Sequence, residues 1–387
     1  MSALPALPRP RLGVDFHVWD QLFQGSRSHL LGLYRAAIPR APDLDFVFFL
    51  NDPDSLRQAH AEFRRPNVQL VAMPHRPGPW RLAVQLPWLQ WKHHIDLLHM
   101  QYRLPLLPAG PCACTIHDVL FETHPQYFPR LFTWQSRLSY RHATRRAALL
   151  MTVSEFSRQE IARHYGVPAQ RIALTPNAVD PQRFHAGPDG ADTVRALGLV
   201  PGAYLLTVGR LEPRKNHLTL IEAYARLGAD APPLAIVGQR DFHFHGALDA
   251  IERLGLQGRI LLLENVGDDA LPAVLRHALV FAYPSFAEGF GMPVLEAMAS
   301  GVPVITTNTT SLPEVAGDAA WCLPPDSVPA LADALQALLA QPERRARMID
   351  AGLAQARQFS WAHAADALLT GVRAHLASPQ GTRHAAI

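Results

Sequence analysis

Two doubly wound α/β domains of the Rossmann kind are what this sequence predicts. Three observations carry the prediction: the length, the alternation of short apolar runs with helix-patterned segments, and one Gly-, Pro- and Asp-rich stretch between two such series. At 387 residues with 48% hydrophobic content, the chain exceeds what one core usually encloses, so two domains are expected.

The elements follow in order. In the first half "RLGVDF", "DFVFFL", "VQLVAM", "IDLLHM", "CACTIHD" and "ALLMTVS" read as strands, each ending in polar or turn residues. In the second half "AYLLTVG", "LAIVG", "RILLLENV", "LVFAYPS" and "GVPVITT" repeat the pattern. Helix-patterned segments lie between them, as in βα units that feed parallel sheets. The stretch "FHAGPDGADTVRALGLVPG" is read as the linker, near residues 183–200, which divides the chain into domains 1–185 and 186–359. The tail "FSWAHAADALLTGVRAHLAS" has small or apolar residues at helical spacing with Ser360 as N-cap, and a helix over 360–377 is expected to pack back on the first domain. Ligands of such sheets bind at the carboxyl ends of the strands, so two of these domains facing each other make a cleft.

Composition narrows the classes of function. A net charge of +3 is too mild for a dedicated nucleic-acid binder but suits anionic small molecules or an anionic membrane surface. Three cysteines, with Cys112 and Cys114 spaced CxC and Cys322 remote, fit a reducing cytoplasm. The amino-terminal residues show no basic region followed by an apolar run, and nowhere do eighteen apolar residues run together, so neither secretion by that route nor a membrane span is expected.

Chemistry concentrates in "PSFAEGFGMPVLEAMASGVPVITT", where Glu288 and Glu296 stand around a Gly-Phe-Gly-Met-Pro turn with seven residues between them. Pro293 suits the first turn of a helix and Gly301 its end. Glu296 then lies in that helix and Glu288 in the loop before it. Gly289 and Gly291 let backbone amides approach a ligand, and a helix start favours anions, so phosphate is expected beside the turn. A carboxylate next to it can accept two hydrogen bonds from a vicinal diol. The plainer alternative, that Glu296 complements the helix dipole and Glu288 is a surface acid, stays open on these residues alone. A second segment, "TVGRLEPRKNHLTLIEAYARL", ends a strand at Gly209 and presents Arg210, Arg214, Lys215 and Asn216 before a helix. Cations at a strand end are what a diphosphate requires.

Taken together, "VGRLEPRKN", "AYPSFAEGFGMPVLEAMASGVPVI" and "LPEVAGDAA" resemble the retaining glycosyltransferases of family 4 (glycosyl transferases group 1), mannosyltransferases among them, whose fold is the two-domain GT-B. The resemblance implies that Arg210 and Lys215 bind the donor diphosphate, that Glu288 holds hydroxyls of the donor sugar, and that Glu296 holds the ribose. It implies that Phe290, Gly291 and Met292 offer backbone amides near the sugar and phosphate, with Gly209 also among the donor-binding residues. "TIHDVLFETHPQYF" is similar to the family's HD segment and makes His117 a candidate to touch the donor sugar. "TVSEFSRQEI" is similar to its strand-to-helix step, with Ser154 as N-cap. "TPNAVD" carries Ala178 where relatives have glycine. In "DQLFQGSRSHLLGLY" one glycine of the usual pair remains, Gly25, and Arg27 stands near the place of the second. Gly25 is held as a donor-site residue, with Arg27 and Val266 as further candidates.

Other signals are read as structural. Asp52 and Asp54 have DxD spacing, but Pro53 between them points to a plain turn rather than a metal site. The histidine groups His93/His94 and His243/His245 lack ligand spacing. No metal and no cofactor are expected. Two basic, aromatic segments, "PWRLAVQLPWLQWKHH" and the Arg137/Arg141/Arg145 stripe of "RLFTWQSRLSYRHATRRAALL", suit either an anionic membrane surface or a solvated face, and the solvated face is the reading preferred.

The expectation is therefore a metal-independent hexosyltransferase of the cytoplasm, with peripheral contact at the inner face of the membrane in view. It moves a hexose, mannose from GDP-mannose in the first instance, to a saccharide or lipid-linked saccharide acceptor in cell-surface polysaccharide synthesis. Glu288, His117, Arg210 and Lys215 are its catalytic candidates. The alternatives are a sugar-nucleotide 2-epimerase of the same fold and a non-catalytic binder of nucleotide sugars or glycans. No nucleic-acid partner is expected.

Overall fold

The structure is a computed structural model that describes residues 9–20, 25–240 and 245–378. It divides into two compact units: Met1–Asn177 together with Trp361–Ile387, and Ala178–Ser360.

The first unit is built on seven parallel strands: β1 (Arg11–Asp15), β2 (Asp45–Leu50), β3 (Val68–Ala72), β4 (Leu97–Gln101), β5 (Cys112–Thr115), β6 (Leu149–Thr152) and β7 (Ile172–Leu174), in the order β3-β2-β1-β4-β5-β6-β7. The central strands are buried along their length, as a parallel sheet covered on both faces requires. One face packs under the helices Gly25–Ala37 and Trp361–Leu376, with Leu30, Leu33, Leu368 and Leu369 in a shared core. The other face packs under the helical segments Leu86–Lys92, Arg130–Arg146 and Glu155–Tyr165, through Leu86, Leu89, Tyr140, Ala143 and Ile161. Ser154 caps the last of these by accepting from the Ser157 amide at 3.1 Å.

The second unit repeats the architecture with six parallel strands: β8 (Leu205–Val208), β9 (Leu234–Val237), β10 (Ile260–Leu263), β11 (Val280–Tyr283), β12 (Val304–Thr307) and β13 (Trp321–Leu323), in the order β10-β9-β8-β11-β12-β13. Each unit is thus a doubly wound, Rossmann-like sheet, as the sequence predicts. In each, the strand order reverses at one point, between β1 and β4 and between β8 and β11.

Several expectations are corrected in detail. Residues 183–200 do not form a linker: they include the helix Ala191–Ala196 and bury Val194 and Leu199. Arg276 ties that stretch down by donating to the carbonyls of Arg183, His185 and Asp189 at 3.2, 2.7 and 2.9 Å. The units divide at Asn177, against the expected 185. The Asp52–Asp54 turn continues as the helix Pro53–Ala59, capped by the Asp52 carboxylate, which accepts from the amides of Asp54 and Ser55. The short edge strands β7 and β13 escape sequence reading because three residues show no periodicity. Of the set-aside histidines, His243 lies outside the described residues, and His245 opens the helix His245–Arg253.

Candidate active site

The reversal point of the second sheet places the turns after β8 and β11 side by side, because the two strands are hydrogen-bonded neighbours paired at Leu205–Val280 and Leu206–Phe281. On its other side the turn after β8 meets the end of β9, where a Cβ on Gly238 would stand 1.9 Å from the carbonyl oxygen of Gly209. The turn after β8 carries Gly209 and Arg210, then a single 3-10 turn, Pro213–Lys215. Asn216 follows in the left-handed region at φ 58°, a conformation asparagine tolerates, and opens the helix His217–Ala225. The Asn216 side-chain amide donates to the carbonyls of Pro284 and Pro325 at 2.9 and 2.6 Å, which fastens this turn to the loop after β11.

That loop, residues 284–291, delivers Glu288 into a buried cluster. Its Oε1 accepts from Lys215 Nζ at 2.7 Å, Ser285 Oγ at 2.7 Å and the Tyr283 hydroxyl at 2.9 Å, and lies 3.0 Å from a guanidinium nitrogen of Arg214. Every one of these contacts falls on Oε1. The backbone of the loop is held as firmly. The Glu288 amide donates to Thr310 Oγ1 at 3.0 Å, and Ser311 Oγ lies 2.9 Å from the carbonyls of both Glu288 and Phe290. Thr310 itself sits at φ 53°, a costly position for a β-branched residue and one that clusters at functional sites.

Electrostatics follow from that geometry. Burial pushes the Glu288 carboxyl up, but the charges of Arg214 and Lys215 and the hydrogen bonds from Lys215 and Ser285 outweigh it and bring the carboxyl down to about 2. Burial lowers Lys215, only partly offset by Glu288. Burial also drives the Tyr283 hydroxyl well above the usual phenol range. The cluster thus carries two cations on one carboxylate, with Glu212 accepting a second bond from Arg214 at 2.6 Å.

Glu296 differs sharply. It projects from the helix Met292–Ala299, which starts at Gly291 with φ 105° and has Pro293 in its first turn. A Cβ on Gly291 would come within 2.7 Å of Leu312 Cδ2, so both the turn and the space demand glycine. Burial raises the Glu296 carboxyl to about 7, with the Arg183 charge working against it and Asp268 reinforcing it. Phe290 and Gly291 are buried in the turn and Met292 is half-buried.

The structure therefore brings Lys215, Glu288, Phe290 and Gly291 into one framework and leaves Arg210 exposed in the turn, outside the set that touches Glu288. Arg214 lies 3.0 Å from Glu288 Oε1. Tyr283 and Ser285, which donate to Glu288, read in the sequence only as strand end and turn. Val266 is half-buried in the segment that follows β10.

In the first unit His117 lies just past the end of β5, buried, with Nε2 3.1 Å from the Gln101 side-chain amide. His29 meets it edge-on at 4.8 Å between centroids and bonds Asn177 at 2.8 Å. Burial first, then the neighbouring His29 and His99, drive His117 well below the ordinary imidazole range, so it is neutral. Gly25 opens its helix in the open, with nothing within 4 Å of where a Cβ would stand. Arg27 lies over the Trp19 ring at 4.4 Å. Among the described residues no group of three or more His, Cys, Asp or Glu is placed to hold a metal ion.

Residues 198–355 match the family model described as glycosyl transferases group 1, and residues 8–183 match that of glycosyltransferase family 4. Over 251 residues the chain is 38% identical to the O-antigen chain mannosyltransferase B of Escherichia coli, covering 64% of this chain and 66% of that protein. Over 226 residues it is 33% identical to the D-inositol 3-phosphate glycosyltransferase of Rhodococcus opacus, 55% of this chain and 50% of that one. The matched region spans half to just under two thirds of these relatives' own length. Among solved structures, Anabaena HepE in complex with UDP and glucose superposes with a TM-score of 0.73 over 95% of this chain and 100% of that chain, at 19% identity, a likeness of fold.

Proposed function

The chain belongs to the glycosyl transferases group 1 of family 4, with their GT-B fold of two Rossmann-like units, and from that premise we propose that it transfers a hexose from a nucleotide-diphosphate sugar to a saccharide or lipid-linked saccharide, with retention of configuration, in cell-surface polysaccharide synthesis. The observation that carries the reading is the cluster in which Lys215 and Arg214 share Oε1 of Glu288. Two cations held on Glu288, with Glu212 also on Arg214, are a resting arrangement. An arriving diphosphate competes for Lys215 and Arg214, with Arg210 exposed beside them, and draws their charge toward the bond that breaks. Glu288 Oε2 accepts hydroxyls of the donor sugar, and His117 holds the sugar as a neutral donor or acceptor.

The remaining roles follow position. Amides of Phe290, Gly291 and Met292, at the start of a helix, face phosphate or sugar, with Gly209 and Gly25 allowing close approach. Glu296 takes the ribose diol, and Arg27 and Val266 border the donor. No strong nucleophile is identified for the sugar, so the acceptor attacks from the front and a phosphate oxygen takes its proton. The charge at the diphosphate comes from side chains, so no metal is needed. Mannose from GDP-mannose is the donor favoured, on the likeness to O-antigen chain mannosyltransferase B.

The test is a panel of GDP- and UDP-sugars. GDP-mannose should raise the melting temperature of the full chain, since a ligand of the folded state stabilises it, and labelled mannose should pass to an acceptor saccharide with its anomeric configuration kept. Stabilisation without turnover on any acceptor would leave a binding protein, and stabilisation by UDP-sugars alone would reject the donor.

A further inference from the structure

The outer layer of the first unit carries an unusual surface. All but two, Val200 and Leu218, of the large apolar side chains exposed among the described residues fall in three of its segments. The first is a continuous helical run over residues 78–92, with a π-helical turn at Arg81–Gln85, which exposes Trp80, Val84, Trp88 and Trp91. The second is the loop after β4, where Leu106 and Leu107 are 78% and 84% exposed. The third is the helix Arg130–Arg146, whose outer side shows Leu131, Phe132, Trp134 and Leu138.

These segments are neighbours. The Gln90 side chain donates to the carbonyl of Pro111 at 2.9 Å, and His142 Nε2 donates to that of Pro105 at 3.0 Å, so both helices are fastened to the ends of the loop. Their inner residues Leu86, Leu89, Leu104, Tyr140 and Ala143 belong to one core on one sheet face. Scattered exposed apolar residues need no explanation, but a connected set of this size marks an interaction surface.

Charge decides what the surface fits. Between Glu62 and Glu155 the chain holds eleven Lys and Arg against three acids, Asp96, Asp118 and Glu122, while the whole chain is nearly balanced at 36 against 33. None of the three acids is fully exposed. Asp96 accepts from the Arg11 amide, Asp118 from the Leu120 amide and Glu122 from Arg137. By contrast Arg130, Arg141, Arg145 and Arg146 lie exposed on the helix that shows Trp134 and Leu138, and that helix has no acid. Arg141 and Arg145 border a groove of about 430 Å³ with Trp134 and Leu138. Lys92 lies 4.5 Å over the Trp88 ring on the first segment. A second copy of the same surface would set like charges against each other. An anionic bilayer surface accepts both parts, with tryptophans at headgroup depth and arginines on lipid phosphates. No described helix is long and apolar enough to cross a membrane.

We propose that residues 78–92, the loop after β4 and the helix Arg130–Arg146 form one docking surface for an anionic lipid bilayer. The proposal stands apart from the sugar chemistry and holds whether or not the donor assignment does.

Flotation of the purified full chain with vesicles tests it. The chain should float with equal-part phosphatidylglycerol and phosphatidylcholine vesicles and not with phosphatidylcholine alone, with a blue shift of tryptophan emission on binding. Raised salt should weaken the association. The double variant Arg141→Glu/Arg145→Glu should lose about tenfold or more in partitioning, and Trp134→Ser/Leu138→Ser should lose the same order while keeping the wild-type melting temperature. Absence of flotation with phosphatidylglycerol would overturn the proposal, as would binding that both variants leave unchanged. So would a dimer of the free chain in light scattering that Trp134→Ser dissolves, which would make this face a contact between copies.

Discussion

Lys215 Nζ stands 2.7 Å from Oε1 of Glu288, a partly buried bond between the turn after β8 and the loop after β11. Charge and positioning, which the proposed chemistry needs in one place, are coupled in that contact before any donor arrives. The same contact makes each partner part of the fold.

Lys215→Ala is therefore expected to do two things. It removes a cation proposed for the diphosphate, with a loss in rate of about two to three orders of magnitude. It also leaves a buried carboxylate with one cation fewer, so the melting temperature falls. Arg210→Ala should cost a similar factor in rate with a smaller change in melting, because Arg210 is exposed. Differential scanning calorimetry beside initial rates separates the two, and near-normal turnover at saturating donor in either variant rejects its assignment to the diphosphate.

The two glutamates of the turn should fail differently. Glu296→Gln removes binding shared by ground state and transition state, so it mainly raises the donor KM, whereas Glu288→Gln mainly lowers kcat. Nucleoside diphosphate alone, which has the ribose but no sugar, should lose affinity in calorimetric titration with Glu296→Gln and almost none with Glu288→Gln. Equal losses would end this division of labour.

Their opposite displacements also predict pH effects. Glu296 is raised to about 7 in the folded chain, so its contribution to stability is full below the ordinary carboxyl range and is lost as pH rises through about 7. Glu296→Gln should accordingly raise the melting temperature at pH 8 more than at pH 5. Glu288, held down to about 2, contributes above the ordinary carboxyl range and loses that contribution as pH falls toward 2. A Glu296→Gln effect that is the same at both pH values would contradict the raised carboxyl.

Two glycines provide a contrast. Gly291→Ala meets both a φ of 105° and Leu312 Cδ2 at 2.7 Å, and should cost about 1–3 kcal/mol in denaturant unfolding together with most activity. Gly25→Ala has open space, so stability should hold. If Gly25 admits the donor closely, KM rises while the unfolding curve stays put; an unchanged KM removes Gly25 from the site.

Turnover should persist in excess EDTA, because Lys215, Arg214 and Arg210 supply the positive charge. Complete loss that magnesium restores would show that those side chains do not suffice.

Much of this was legible in one dimension. Strand runs such as "DFVFFL" and "LVFAYPS" announce buried parallel strands because nearly every residue in them is apolar and buried, and the Gly-Phe-Gly-Met-Pro turn between Glu288 and Glu296 signals a helix start through proline and glycine chemistry that needs no tertiary context. Those local rules were enough for two Rossmann-like units and for the two acids. Tertiary structure decided the rest, since burial and partnership are properties of neighbours far apart in the chain. It put Arg214 and Lys215 together on Glu288, because the 3-10 turn Pro213–Lys215 aims both at the loop after β11. It folded the supposed linker onto Arg276. It also gave two identical side chains opposite fates: Glu288 is held ionised by two cations, while burial raises Glu296, with Asp268 adding to the rise and Arg183 only partly offsetting it. A carboxylate's charge depends on what desolvates it and what compensates it, and only the folded chain brings those groups together.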